Sequence, residues 1–119
     1  MLRFRAACDS LVVPALADAK TLAQIAQSVA KAENEQKSGA NDLFRFDSAT
    51  SHEGNVDKRL IVINATLLRT NFARITAVAT GYDCAKYRLQ IFQGMAIRYI
   101  FVLDDGSPAG DFLIDRSKC

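Results

Sequence analysis

Cys84 and Cys119 bracket the most strand-like stretch of the chain, and Cys119 is the last residue of the sequence. Between them come Gly94, an apolar and aromatic run from Met95 to Leu103, the turn cluster Asp104-Asp105-Gly106-Ser107-Pro108, and a second short run from Phe112 to Ile114. Asp and Gly supply the backbone conformations that a tight turn needs, so this stretch reads as a β-hairpin with a sulfur near each outer end. The expected arrangement is a disulfide closing the hairpin unit. Closing a loop of roughly 35 residues would stabilise a domain by roughly 4 kcal/mol in the chain-entropy view. In a reducing compartment all three cysteines, Cys8 included, would be free thiols and the chain cytoplasmic. With the bridge formed, the chain is periplasmic or secreted, and Cys8 is the odd thiol.

A sequence of 119 residues has room for one domain, taken as 1–119, with one core. Half the residues are hydrophobic and 24% are charged, an ordinary globular balance. The 15 basic and 13 acidic residues are mixed along the chain rather than blocked, so no electrostatic footprint for nucleic acid is visible and none is expected as a partner. No apolar run approaches 18 residues, so no integral membrane segment is expected. Residues 1–18 open with two arginines and an apolar stretch ending at Ala17-Asp18-Ala19, the small-x-small form of a signal-peptidase site. Asp9 and Pro14 interrupt it, so the segment is either a degraded or truncated export signal or an extended lead-in.

Leu22, Ile25, Ala26, Val29 and Ala30 recur at the spacing that lays one stripe on a helix face, predicting a helix from about residue 19 to Gln36. Thr21 and Gln24 form a capping box, with Asp18 as a competing cap. The tract Lys37 to Asp42 ends that helix, and Leu43-Phe44-Arg45-Phe46 alternates as a short strand with Phe44 and Phe46 inward. Asp47 to Asp57 has no periodicity and reads as strand end and loop. Leu60, Ile63, Leu67, Asn71 or Phe72, Ile75 and Val78 predict a long second helix from about Val56 to Thr80, stopped at Gly81. The alternative there is two strands about a turn near Asn71. The expected fold is thus α+β, with two main helices packed on a small antiparallel sheet that includes the C-terminal hairpin.

From Pro14 onward the order of features resembles a loose group of small exported bacterial proteins of uncharacterised function. The matching residues are Pro14, Thr21, Leu22, Cys84, Arg88, Gly94, Tyr99, Asp104, Gly106 and Cys119. The resemblance implies export, a Cys84–Cys119 bridge and a compact α+β domain, and it brings no catalytic or binding residues with it. The chain departs from the group in its helix tail around Lys31 to Lys37 and in lacking a clean signal peptide.

Candidate chemistry is sparse. A nucleophilic thiol needs a base, and the single histidine, His52, lies in a polar segment with Glu53 and Asp47 near it in sequence. A small hydrolase or thiol enzyme built on Cys84, or on an Asp pair such as Asp104-Asp105 or Asp111 with Asp115, is the alternative function. Turn chemistry accounts for Asp104-Asp105-Gly106 more simply. Cys8, His52, Cys84 and Cys119 lack the close spacing of a structural zinc site, and neither metal nor cofactor is expected. Arg98-Tyr99-Ile100-Phe101-Val102 lacks the glycines of an RNA-stacking strand. Asn64-Ala65-Thr66 has the form of a glycosylation sequon.

The hairpin strand carries Ile97, Tyr99, Phe101 and Leu103 on one face and Ala96, Arg98, Ile100 and Val102 on the other. Two helices cover one face of so small a sheet, so Arg98, Ile100 and Val102 are the candidate contacts for a protein partner or a second copy. The function expected is a non-enzymatic exported protein-binding module: an inhibitor, an immunity-type protein or a secretion accessory.

Overall fold

The computed structural model describes residues 16–36 and 41–119. The expectations for the export-signal segment up to residue 15, for Pro14 and Cys8, and for most of the polar tract after the first helix fall outside the described residues.

Helix α1 spans Ala19–Gln36. Its start is set by Asp18, whose Oδ1 accepts from the Thr21 amide at 2.8 Å, so Asp18 caps in place of Thr21. Ala26, Val29 and Ala30 form its buried stripe. Strands β1 (Phe44–His52) and β2 (Asn55–Val62) follow as a hairpin, then helices α2 (Ala65–Thr70), α3 (Phe72–Lys86) and α4 (Arg88–Phe92), and finally the hairpin β3 (Ala96–Val102) with β4 (Pro108–Ile114). The fold is α+β, with α1 and α3 as its main helices and the C-terminal hairpin as expected.

The sheet is mixed rather than antiparallel. Its order is β1-β2-β3-β4, antiparallel within each hairpin but parallel between β2 and β3, where Val56 sits beside Ile97 and Leu60 beside Phe101. Parallel neighbours need a long crossover, and α2, α3 and α4 supply it. The long helix expected over Val56–Thr80 is therefore replaced by a strand and two helices. Val56, Lys58, Leu60 and Val62 alternate inward and are all buried, a period of two that a charged Lys58 disguises. Asn64 then caps α2, its Oδ1 accepting from the Leu67 amide at 3.0 Å, and Gly81 lies inside α3 instead of ending it. The 47–57 segment is likewise not a loop. β1 continues through a bulge between Phe46 and Ser48 to His52, and only the tight turn at Glu53 and Gly54 separates it from β2.

The core lies between the helices and one sheet face. Phe101, Ile97, Ile114, Val56, Met95 and Ile91 are fully buried. Phe101 takes edge contacts from Phe44 at 5.4 Å and Phe72 at 5.8 Å, which tie β1 and α3 to the central strand. Cys84 of α3 is bonded to Cys119, their Cα atoms 5.6 Å apart, so the segment after β4 is fastened to the crossover helix.

Candidate docking groove

An open groove of about 600 Å³ runs along α3. One wall is α3; the other comprises the end of α1, with Glu33 and Gln36, and the start of β1, with Leu43, Phe44 and Phe46. Lys58, Leu60 and Tyr99 form the floor. Along α3 the residues Arg74, Val78, Tyr82 and Lys86 follow one another at intervals of four and so share one face. Val78 and Tyr82 are 65% and 60% exposed. At a rise of about 1.5 Å per residue, the two basic ends of this stripe stand roughly 18 Å apart.

Beneath the apolar walls lies a buried polar network. Lys58 Nζ is 2.8 Å from Glu33 Oε1 and donates to the Tyr99 hydroxyl at 3.0 Å. Tyr99 in turn donates to Asp83 Oδ2 at 2.6 Å. Tyr87 donates to Glu33 Oε2, and Lys86 Nζ reaches the same oxygen at 3.1 Å. Both Glu33 oxygens are thus occupied, whereas the second oxygen of fully buried Asp83 has no partner. A buried charge needs such partners to be tolerated. Burial pushes the Glu33 pKa up, but the hydrogen bonds from Lys58 and Tyr87 and the Lys58 charge outweigh it and leave it lowered. At Asp83 burial dominates over the Lys58 charge and the Tyr99 bond, and the pKa is raised. Burial, followed by the neighbouring carboxylates and their hydrogen bonds, drives the Tyr99 and Tyr87 hydroxyls upward, so both stay protonated donors.

The residues singled out in the sequence are distributed differently. The structure brings Cys84 and Cys119 together. Arg98, Ile100 and Val102 lie on the sheet face turned away from the groove: Arg98 is exposed and paired with Asp111 at 2.9 Å, Ile100 is half-buried, and Val102 is buried. His52 is exposed at the end of β1, and in the bridged protein Cys84 has no thiol for it to activate. Asp105 binds Ser107 within the β3–β4 turn, and Asp115 binds Ser117. Among the described residues no three His, Cys, Asp or Glu side chains cluster as metal ligands would.

Sequence reasoning missed Glu33, Lys58, Asp83 and Tyr99. The signal for Lys58 was present, because a lysine on the inward parity of an otherwise apolar alternating run must find a buried partner. The α3 stripe was equally present as a four-residue repeat, concealed by the placement of the helix end at Gly81.

No protein-family model and no curated protein matches the chain by sequence. Solved structures do match its fold. A Pseudomonas aeruginosa protein assigned as secreted superposes with a TM-score of 0.73 at 19% identity, over 85% of this chain and 95% of that one. A pilotin of the Vibrio vulnificus type 2 secretion system gives 0.71 at 15% identity, over 85% and 94%. The type II secretion system pilotin of Vibrio cholerae gives 0.65 at 16%, over the same shares. The chain has the fold of these proteins.

Proposed function

We propose that this chain is a non-enzymatic, exported accessory protein of bacterial secretion that holds an apolar segment of a partner protein in the groove along α3. The observation that carries this reading is the exposure of Val78 and Tyr82 in a concave, mostly apolar channel, between basic Arg74 and Lys86. Large apolar side chains displayed together in a channel lower their free energy by contact with a partner. The basic ends favour a segment with acidic residues flanking its apolar part. The fold shared with two secretion pilotins supports the setting, and the bridge supports an oxidising compartment.

The test is site-specific photocrosslinking in the native bacterium, with a benzophenone side chain at position 82 and, for comparison, at Asp104 in the exposed β3–β4 turn. A discrete adduct from position 82 that is lost in Val78→Asp supports the groove. Equal adducts from both positions, or none from 82, overturn it.

A second reading is contact through the opposite sheet face. The helices described here pack on the Tyr99 side and leave Ile100 partly open beside the Arg98–Asp111 pair. That face would take a second copy or another protein, with Arg98 at its polar rim.

A further inference from the structure

An antiparallel ladder turns the backbone groups of alternate residues of an edge strand away from its neighbour, where they can template an added strand. β1 is such an edge, and at nine residues it is long and free of proline. Its register with β2 and its bulge make Phe44, Phe46, Ala49 and Ser51 the outward-turned positions. Two of these are already occupied. Asn34, from α1, donates from Nδ2 to the Ala49 carbonyl and accepts the Ala49 amide at Oδ1, both at 2.8 Å. Asn41 accepts the Phe44 amide at Oδ1 at 2.9 Å, and its own amide donates to the Phe44 carbonyl at 3.1 Å.

Each asparagine therefore satisfies both edge groups of one residue, as a neighbouring strand would. Phe46 and Ser51 carry no such cap among the described residues, but every uncapped position lies next to a capped one. An incoming strand bonds at successive outward positions, and β1 offers no two in a row. We propose that Asn34 and Asn41 together guard the open edge of β1 against strand pairing with a second copy of this chain. The opposite edge is treated similarly: Lys118 Nζ donates to the Leu113 carbonyl of β4 at 3.0 Å, and Pro108 opens that strand without an amide hydrogen. Asn41→Ala frees the Phe44 amide beside the open Phe46 position, while the backbone amide of residue 41 keeps the Phe44 carbonyl. Removing Asn34 frees Phe46, Ala49 and Ser51.

The test compares the parent with Asn34→Ala, Asn41→Ala and the double variant by light scattering over a wide concentration range, alongside amide exchange. The expected result is a mass that doubles or more over that of the parent as concentration rises. The Phe44 and Ala49 amides should exchange freely in dilute variant and become protected again in concentrated variant. A folded double variant with the parent's mass at every concentration overturns the proposal. If the double variant does not fold, Asn34→Ala decides alone, because the Asn34 side chain holds both edge groups of Ala49 and its loss opens Phe46, Ala49 and Ser51 in a row; unchanged mass in that folded single variant is then the overturning result.

Discussion

Lys58 Nζ lies 2.8 Å from Glu33 Oε1, with side chains only 9% and 10% exposed, so a strand of the sheet and the last turns of α1 are joined by a charge pair inside the molecule. Breaking such a pair from one side leaves the other charge uncompensated, at a cost of about 3–5 kcal/mol, whereas replacing both partners with apolar groups is often neutral. Lys58→Met should destabilise in urea unfolding by less than the full cost of an unpaired charge, because Glu33 keeps Lys86 and Tyr87. Glu33→Leu should cost less when added to Lys58→Met than it does in the parent, because Lys58 is then no longer there to be left unpaired. Additive losses in the double variant would show that the two residues are not coupled.

Asp83 carries the opposite sign in pH dependence. Its pKa is raised above 3.8 by burial, so the folded protein holds this proton more tightly than the unfolded chain does. Its contribution to stability is therefore largest at low pH and is lost as pH rises through the folded-state value. Glu33, lowered from 4.5, contributes stability that is present above that pH and lost as pH falls. Asp83→Asn removes only the first effect. The variant should melt at or above the parent at neutral pH, and the parent should gain on it steadily as pH falls toward 3.8. Parallel melting curves across the range would contradict the assignment.

Cys84→Ser should destabilise by roughly 2–5 kcal/mol, the usual effect of removing a native bridge, with no change in the fold of the remaining core. Thermal melts of oxidised parent and variant measure it directly. Equal melting temperatures would mean that the bridge constrains nothing.

Gly81 sits within α3 with nothing inside 4 Å of the position a Cβ would take. Gly81→Ala should stabilise by about 0.5–1 kcal/mol, because alanine loses less backbone freedom in a helix. A lower denaturation midpoint would show that the glycine meets a need the structure does not display.

Ile100→Asp addresses the open sheet face. If a second copy binds there, the parent's mass in light scattering should fall toward that of one chain in the variant while the melting temperature holds. A parent of single-chain mass at all concentrations rules out self-association through this face and leaves contact with a different protein.

Much of the architecture could be read from local pattern. Helix α1 announces itself through a period-3.6 stripe ended by a polar tract, and the last hairpin through a continuous apolar run, an Asp-Asp-Gly turn and bracketing cysteines. The middle of the chain was misread because its physical causes are long-range. Lys58 is tolerated on an inward position only by virtue of Glu33, 25 residues earlier, and Tyr99, 41 residues later. Without those partners the alternation from Val56 to Val62 looks broken, and the helical spacing through Leu60 and Leu67 prevails. Asn64 was read as part of a sequon although its position before a helical stretch is that of a cap. The parallel pairing of β2 with β3 has no local signature. The groove was illegible for a related reason, since its walls come from α1, β1 and α3 and meet only when the crossover is in place.

Helix α3 is held near both of its ends. Phe72 at its start lies against the rings of Phe101 and Phe112, at 5.8 and 5.9 Å, while Asp83 and Cys84 near its finish are fixed by Tyr99 and by the bridge to Cys119. Val78 lies between those anchorages, so the α3 wall of the channel is fixed at both ends. If the groove takes a partner segment as proposed, that segment would conform to a preformed wall, and little of the binding free energy would go into ordering α3. Association should then proceed in one bimolecular step, with an observed rate that climbs linearly with guest concentration and no plateau from a preceding opening motion.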